Sequence, residues 1–204
     1  MDKRNVWKIA ENVWDIESNT ISDLSKTIDR EEIISCIEKI ARCEGKIVTS
    51  GSGTSGTAAK KISHSLSCVE RPSFFLTPSD ALHGSLGSVS DQDIAILISK
   101  GGNTKEIANL IEPLKEKGTY IIGVTETYDS RLGRESDQVL KIKTEKEADN
   151  FDMLATSSTL AVIAVFDAIC IAIMDISGYT KERFAVIHPE GAVGDRLKKT
   201  KDKK

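Results

Sequence analysis

From Lys46 onward the chain alternates between two textures, and this constrains its fold more than any other feature of its 204 residues. Short β-branched runs end in Ser, Thr or Gly, and most lead into a longer amphipathic stretch. "KIVTS" is followed by 56–68, "SFFLT" by a loop, "DIAILIS" by 104–117, "TYIIGVT" by 129–135 and "QVLKIK" by a loop. Apolar runs that do not alternate in polarity suit strands covered on both faces. Strands alternating with helices imply right-handed βαβ units and an open parallel sheet, so the expected class is α/β.

Helical spacing sets the two ends apart. Val6, Ile9, Val13 and Ile16, then Ile21, Leu24 and Ile28, predict one helix over 4–28, and Ile33, Ile34, Ile37 and Ile40 predict a second over 30–43. Asp29 or Arg30 precedes Glu31 and Glu32, acids that suit a helix start. Residues 155–176 form a dense Ala, Ile and Val helix that Gly178 breaks, and "KKTKDKK" at 198–204 is expected to be a solvated tail. No repeat or low-complexity linker interrupts the chain.

Composition excludes several partners. A net charge of −3, interspersed charges and 5% aromatic residues suggest neither a nucleic-acid groove nor a polybasic membrane patch. The start "MDKRNVWKIAENVW" carries charges where a signal peptide needs an apolar stretch. The longest apolar region, 160–176, contains Asp167 and Asp175 and is expected to be too short and too charged for a bilayer. A soluble, cytoplasmic protein is the expectation. Cys36, Cys43, Cys68 and Cys170 form no C-x-x-C pair and fall in helix-like patterns, as reduced core thiols do.

In a doubly wound sheet, ligands sit at the carboxyl ends of the strands. Three loops placed there are rich in hydroxyls and glycine: "SGSGTSGT" (50–57), "SKGGNT" (99–104) and "TSST" (156–159). Converging N–H groups, hydroxyls and helix N-termini make an anion cradle. Singly, each loop is equally well a turn with a helix cap; three together point to phosphate.

Gly51, Gly53 and Gly56 have the G-x-G-x-x-G spacing of a dinucleotide site, which also needs a carboxylate ending the second strand to hold ribose. That strand ends at Thr77, with Asp80 only beyond Pro78. A Walker loop fails too, because Thr57 follows Gly56 where lysine is required. A single phosphate held by several loops explains more of the chain.

Acid–base candidates are few. His64 falls in a helical stretch and suits its surface, whereas His83 and His188 sit beside Gly or Pro in loops, where functional residues gather. Glu106 opens the helix after "SKGGNT", where it also suits the helix dipole, and Glu147 lies in the loop before "TSST".

Taken in order, "GSGTSG", "PSFFLTPSDALHGSLG", "DIAILISKGGNTKEI", "ATSST" and "HPEGAVGDRL" make residues 46–197 resemble the sugar isomerase (SIS) domain family. The resemblance is closest to the D-arabinose 5-phosphate isomerase type, without the paired regulatory domains that often follow it. It implies a three-layer α-β-α sandwich around a five-stranded parallel sheet, preceded by a helical arm over 1–45 and followed by the tail at 198–204. It also implies a homotetramer with sites between subunits, and aldose–ketose isomerisation of a sugar phosphate through a cis-enediol, with neither metal nor cofactor.

On this resemblance His188 and Glu147 transfer protons and Glu106 orients a hydroxyl or the imidazole. Ser52, Thr54, Ser55, Ser99, Gly101, Asn103, Thr104 and Ser157 cradle the phosphate, and His83 lies near the substrate. Three positions depart from the family: Thr54 replaces a lysine, Thr77 a histidine, and Asn103 a glutamate. Loss of a charge-assisted contact such as the lysine's costs roughly 1.5–3 kcal/mol. Two alternatives stand beside the isomerase: a non-catalytic sugar-phosphate sensor, which Thr54 favours, and a dinucleotide-binding protein.

Overall fold

The computed structural model of the protein describes residues 3–191 and Gly194. The tail at 198–204 and most of "GAVGDRL" lie outside the described residues. Two helices lead, α1 (Lys3–Thr27) and α2 (Arg30–Ala41). Asp29 caps α2, its Oδ1 accepting the N–H groups of Glu31 at 2.9 Å and Glu32 at 3.0 Å.

The alternating part follows as β1 (Ile47–Gly51), α3 (Gly53–Cys68), β2 (Ser73–Phe75), α4 (Pro78–Leu82), β3 (Ile94–Ile98), α5 (Lys105–Glu116), β4 (Tyr120–Thr125), α6 (Arg131–Glu135) and β5 (Gln138–Lys141). The chain continues through α7 (Ser157–Ile176) to α8 (Lys181–Ile187). All five strand runs expected from the sequence are strands, and every pairing among them is parallel.

The sheet order is β2-β1-β3-β4-β5. β1 and β3 are adjacent, with Ile47 opposite Ile94 and Gly51 opposite Ile98, and both are buried along their full length. One face carries α2, α3 and α7, through Cys36, Ile40, Ile62, Leu66, Phe166 and Ile169. The other carries α4, α5 and α6, through Ala81, Ile107, Leu110, Ile111 and Leu132. This is the three-layer sandwich expected.

The chain leaves β1 toward one face and β3 toward the other. A crevice therefore opens between their carboxyl ends.

The N-terminal region divides unevenly. α2 enters the core with Cys36 and Ile40, whereas α1 has no buried residue and leaves Val6, Trp7, Ile9 and Trp14 exposed.

For α7 the expected exclusion from a bilayer on length and charge does not hold. Its 20 residues make it the one helix, among those described, long and apolar enough to cross a membrane. Packing determines its place instead: Ala161, Val165, Phe166, Ile169 and Ile173 are buried in the core, and Asp167 pairs with Lys61 on α3. Cys36 and Cys170 are buried, Cys43 and Cys68 are half-buried, and all four are free thiols.

Because the Phe166 ring is fully buried between α7 and the sheet, Phe166→Ala is expected to destabilise the fold by about 3–5 kcal/mol. Ile171→Ala, on the exposed face of the same helix at 64% exposure, should stay within about 0.5 kcal/mol of the parent. Urea unfolding of the three proteins checks both expectations.

Candidate functional site at the carboxyl edge of the sheet

The first wall is the turn from β1 into α3. Gly51 and Gly56 pack backbone on backbone: a Cβ on Gly51 would meet the Ser55 carbonyl oxygen at 2.7 Å, and one on Gly56 the Gly51 oxygen at 2.6 Å. These glycines thus bring the start of α3 tightly over the strand end. Ser52 is the α3 N-cap residue without a side-chain cap bond, so its hydroxyl is not committed to the helix. Thr54 is exposed, and Ser55 lines a narrow pocket beside the sheet.

The second wall is the loop between β3 and α5. Buried Ser99 pairs through Oγ with Thr104 Oγ1 at 2.8 Å and accepts the Gly102 N–H at 3.1 Å. Gly102 has φ +68, and a Cβ there would collide with Ser130. Gly101 faces open space. Asn103 looks away from the crevice: its Oδ1 accepts the Arg131 N–H at 2.9 Å and ties this loop to α6.

The third wall is the N-terminus of α7. Glu147 is almost completely buried, at 2% exposure, and a charge there persists only if its lone pairs are met. They are met in full. Oε1 accepts Lys100 Nζ at 2.7 Å and the Ser158 hydroxyl, while Oε2 accepts the Thr156 N–H at 2.9 Å, the Ser158 N–H at 3.2 Å and the Thr156 hydroxyl at 3.3 Å.

The carboxylate therefore caps α7, whose N-cap residue Thr156 supplies no cap bond of its own. Asp152 Oδ1 in turn accepts the Glu147 N–H at 2.6 Å. Burial pushes the Glu147 carboxyl up, but the bonds from Lys100, Ser158 and Thr156 outweigh it and bring its pKa down to about 2. Lys100 is shifted up: burial works against its charge, and Glu147, Glu126 and Asp152 more than restore it.

The narrow pocket is about 50 Å³ and lies between α3, α7 and the ends of β3 and β4, lined by Ser55, Lys100, Thr125, Glu126, Ser158 and Thr159 among others. That is too small for a whole sugar phosphate. On the other side of the α3 turn a cleft of about 340 Å³ is bordered by Ser52, Thr57, Lys60, Thr77 and Glu106. Glu106 is exposed there, in the first turn of α5. Ser157 is fully buried at the first turn of α7, and its hydroxyl has no hydrogen-bond partner.

Two of the expected histidines lie elsewhere. His83 is exposed at the end of α4. His188 ends α8, stacked on Phe184 with ring centroids 4.0 Å apart, its Nδ1 3.1 Å from the Phe184 carbonyl oxygen. That carbonyl can only accept, so Nδ1 carries a proton, and in the neutral imidazole Nε2 keeps the lone pair.

α8 packs against the far end of α3, where Tyr179 donates to the Cys68 carbonyl at 3.1 Å and Arg183 pairs with Glu70. α3 has 16 residues and so separates that end from the β1 turn by roughly 24 Å. His64 is exposed on α3, as its spacing suggests.

Sequence reasoning missed Lys100, Glu126 and Ser158. Lys100 stands inside the quoted "SKGGNT" and Glu126 directly follows β4, so their position at strand ends was the available signal. Among the described residues no group of three or more His, Cys, Asp or Glu is placed to hold a metal ion.

The SIS domain model matches residues 39–172. The arabinose 5-phosphate isomerase of Shigella flexneri is 38% identical over 185 residues, which is 91% of this chain and 56% of that protein. This chain therefore spans little more than half the length of that relative. A Haemophilus influenzae relative, named as a probable isomerase of the same type in its own description, is 37% identical over 96% of this chain and 58% of its own.

Among solved structures, a sugar-phosphate isomerase candidate from Listeria monocytogenes superposes with TM-score 0.92 and 52% identity, covering 93% of this chain and all of that one. An Escherichia coli protein in complex with arabinose 5-phosphate superposes with TM-score 0.89 and 30% identity, over 93% of this chain and all of its own.

Glu147 is bound to acid stability with a definite sign. Its folded pKa lies below its ordinary 4.5, so its contribution is full above that value and is lost as pH falls toward 2. The amount is on the order of 3 kcal/mol. Glu147→Gln should therefore flatten the fall in stability between pH 5 and 2, to the limit of about those values, as measured by urea unfolding at each pH.

Proposed function

Because this chain belongs to the SIS domain family, we propose that it is an aldose–ketose isomerase of sugar phosphates, of the arabinose 5-phosphate and ribulose 5-phosphate type. What carries the proposal is a pocket at the carboxyl edge of the sheet lined by Ser55 of the α3 turn, by Lys100 and by Ser158 of α7, with Lys100 paired to the buried Glu147. The arabinose 5-phosphate complex of the Escherichia coli relative supports the substrate class. Ser52, Ser55, Ser99 and Thr104, with the helix N-termini behind them, receive the phosphate; Thr54, Gly101 and Ser157 complete the cradle.

The chemistry is a proton transfer between C1 and C2 through a cis-enediol, which needs a base of pKa near the working pH. A carboxylate of pKa about 2 is a weak base as it stands. His188, whose Nε2 keeps a lone pair, is assigned the C1–C2 transfer, while Glu147 and Glu106 serve the sugar hydroxyls.

His188 sits at the α8 end of its own subunit, so it reaches the crevice from another copy of the chain. A homotetramer with sites between subunits accommodates this. The exposed apolar residues of α1 and the exposed Phe151, Met153 and Leu154 next to Glu147 are surfaces of the kind that such an assembly covers. The protein is proposed to be soluble and cytoplasmic, and its partners are the sugar phosphate and further copies of itself.

Thr54, together with the fully engaged Glu147 carboxylate, favours one second function: a regulatory protein that binds sugar phosphates without converting them.

Turnover decides between the two. With arabinose 5-phosphate or ribulose 5-phosphate in deuterated solvent, NMR should show exchange of the C2 proton and interconversion of the two sugars. Ligand-induced thermal stabilisation without exchange, across a panel of sugar phosphates, would favour the sensor. His188→Ala should abolish exchange while leaving ligand stabilisation in place; full activity in that variant removes His188 from proton transfer.

A further inference from the structure

Lys100 joins the anion cradle to the buried carboxylate. Its backbone is clamped at the end of β3, the Lys100 carbonyl accepting both the Thr125 hydroxyl and the Glu126 N–H at 2.9 Å. Its neighbour Ser99 carries the hydroxyl paired with Thr104. The Lys100 ammonium meets Glu147 at 2.7 Å and Glu126 at 3.9 Å.

The pair is unequal in freedom. The Glu147 side chain is 1% exposed and pinned by the start of α7, whereas the Lys100 side chain is 43% exposed. If the two part, it is the lysine that moves.

Charge gives it reason to move. Lys100, Glu126 and Glu147 sum to one negative charge, and Lys100 is the one basic side chain among the described residues lining this pocket. A phosphate monoester brings a further charge of about −1.5 to −2 at pH 7. At the strand ends beside this pocket, that anion carries more charge than the Glu147 carboxylate, the nearer of the two that Lys100 faces, and the flexible four-carbon stem permits the exchange.

Glu147 keeps its donors from Thr156 and Ser158 after such an exchange, so it stays in place. Without the cation, no basic side chain among the described residues lines this pocket.

We propose that Lys100 is an exchangeable cation, paired with Glu147 in this structure and passed to the phosphate of an incoming sugar phosphate, so that binding itself removes the cation from Glu147 while Thr156 and Ser158 keep the carboxylate in place. This rests on the sugar-phosphate reading above. It also explains how the site works with Thr54 at the start of α3, since Thr54's neighbour Ser55 lines the same pocket as Lys100. A cation is supplied from the β3 loop in place of the α3 turn.

The test uses the full chain and isothermal titration with arabinose 5-phosphate and, separately, inorganic phosphate. Lys100→Gln keeps a hydrogen-bond donor for Glu147 and removes the charge; Lys100→Met removes both. Each is expected to weaken arabinose 5-phosphate binding at least tenfold, and Thr54→Lys added to Lys100→Gln should recover most of that loss.

A purely structural partner of Glu147 predicts the opposite pattern, with Lys100→Gln binding as the parent does and Thr54→Lys giving no recovery; either result overturns the inference. If Lys100→Met does not fold, Lys100→Gln and its Thr54→Lys derivative still decide. A parent protein that binds no sugar phosphate overturns the functional proposal and this inference together, whereas unchanged binding in Lys100→Gln overturns this inference alone.

Discussion

A parallel sheet buried on both faces admits no irregularity within its strands, so everything chemical in this protein is displaced to the strand ends. β1 and β3 are buried at every residue, and their peptide groups must be paired with neighbouring strands because no water reaches them. Helices then have to cover both faces, and the chain leaves β1 and β3 in opposite directions. The crevice between those exits is a consequence of topology, and the turn into α3, the Ser99–Thr104 loop and the start of α7 are gathered at that carboxyl edge by the strands they adjoin.

At that edge the dominant electrostatic fact is a carboxylate held ionised where water cannot reach it. Five donor atoms surround Glu147, and most belong to the first turn of α7 or the residue that caps it. The carboxylate thus has a structural duty, the end of a core helix. A group so fully satisfied is precisely placed and weakly basic, and the charge that most readily changes partner is its half-exposed lysine. Structure and reactivity are coupled there through a single ion pair.

Much of the architecture was legible in the chain because it depends on local patterning. Non-alternating apolar runs marked all five strands, the acids after Asp29 and Arg30 marked the start of α2, and the glycine and hydroxyl loops fall at the carboxyl edge of the sheet. α7 shows where that legibility ends. Its composition alone allows a bilayer, and only the burial of Phe166, Ile169 and Ile173 against the sheet and α3 identifies it as a core helix.

The chain by itself determined the α/β class, the parallel sheet and the phosphate-suited loops, since each follows from residue type and spacing within a few turns of chain. Tertiary structure alone decided which of the candidate residues meet. Glu147 and Lys100, 47 residues apart, form a pair because β3 and the loop before α7 end at the same edge. His188 does not join them, because α8 packs at the far end of α3. Such encounters depend on where distant segments are carried by packing, and spacing along one chain does not encode that.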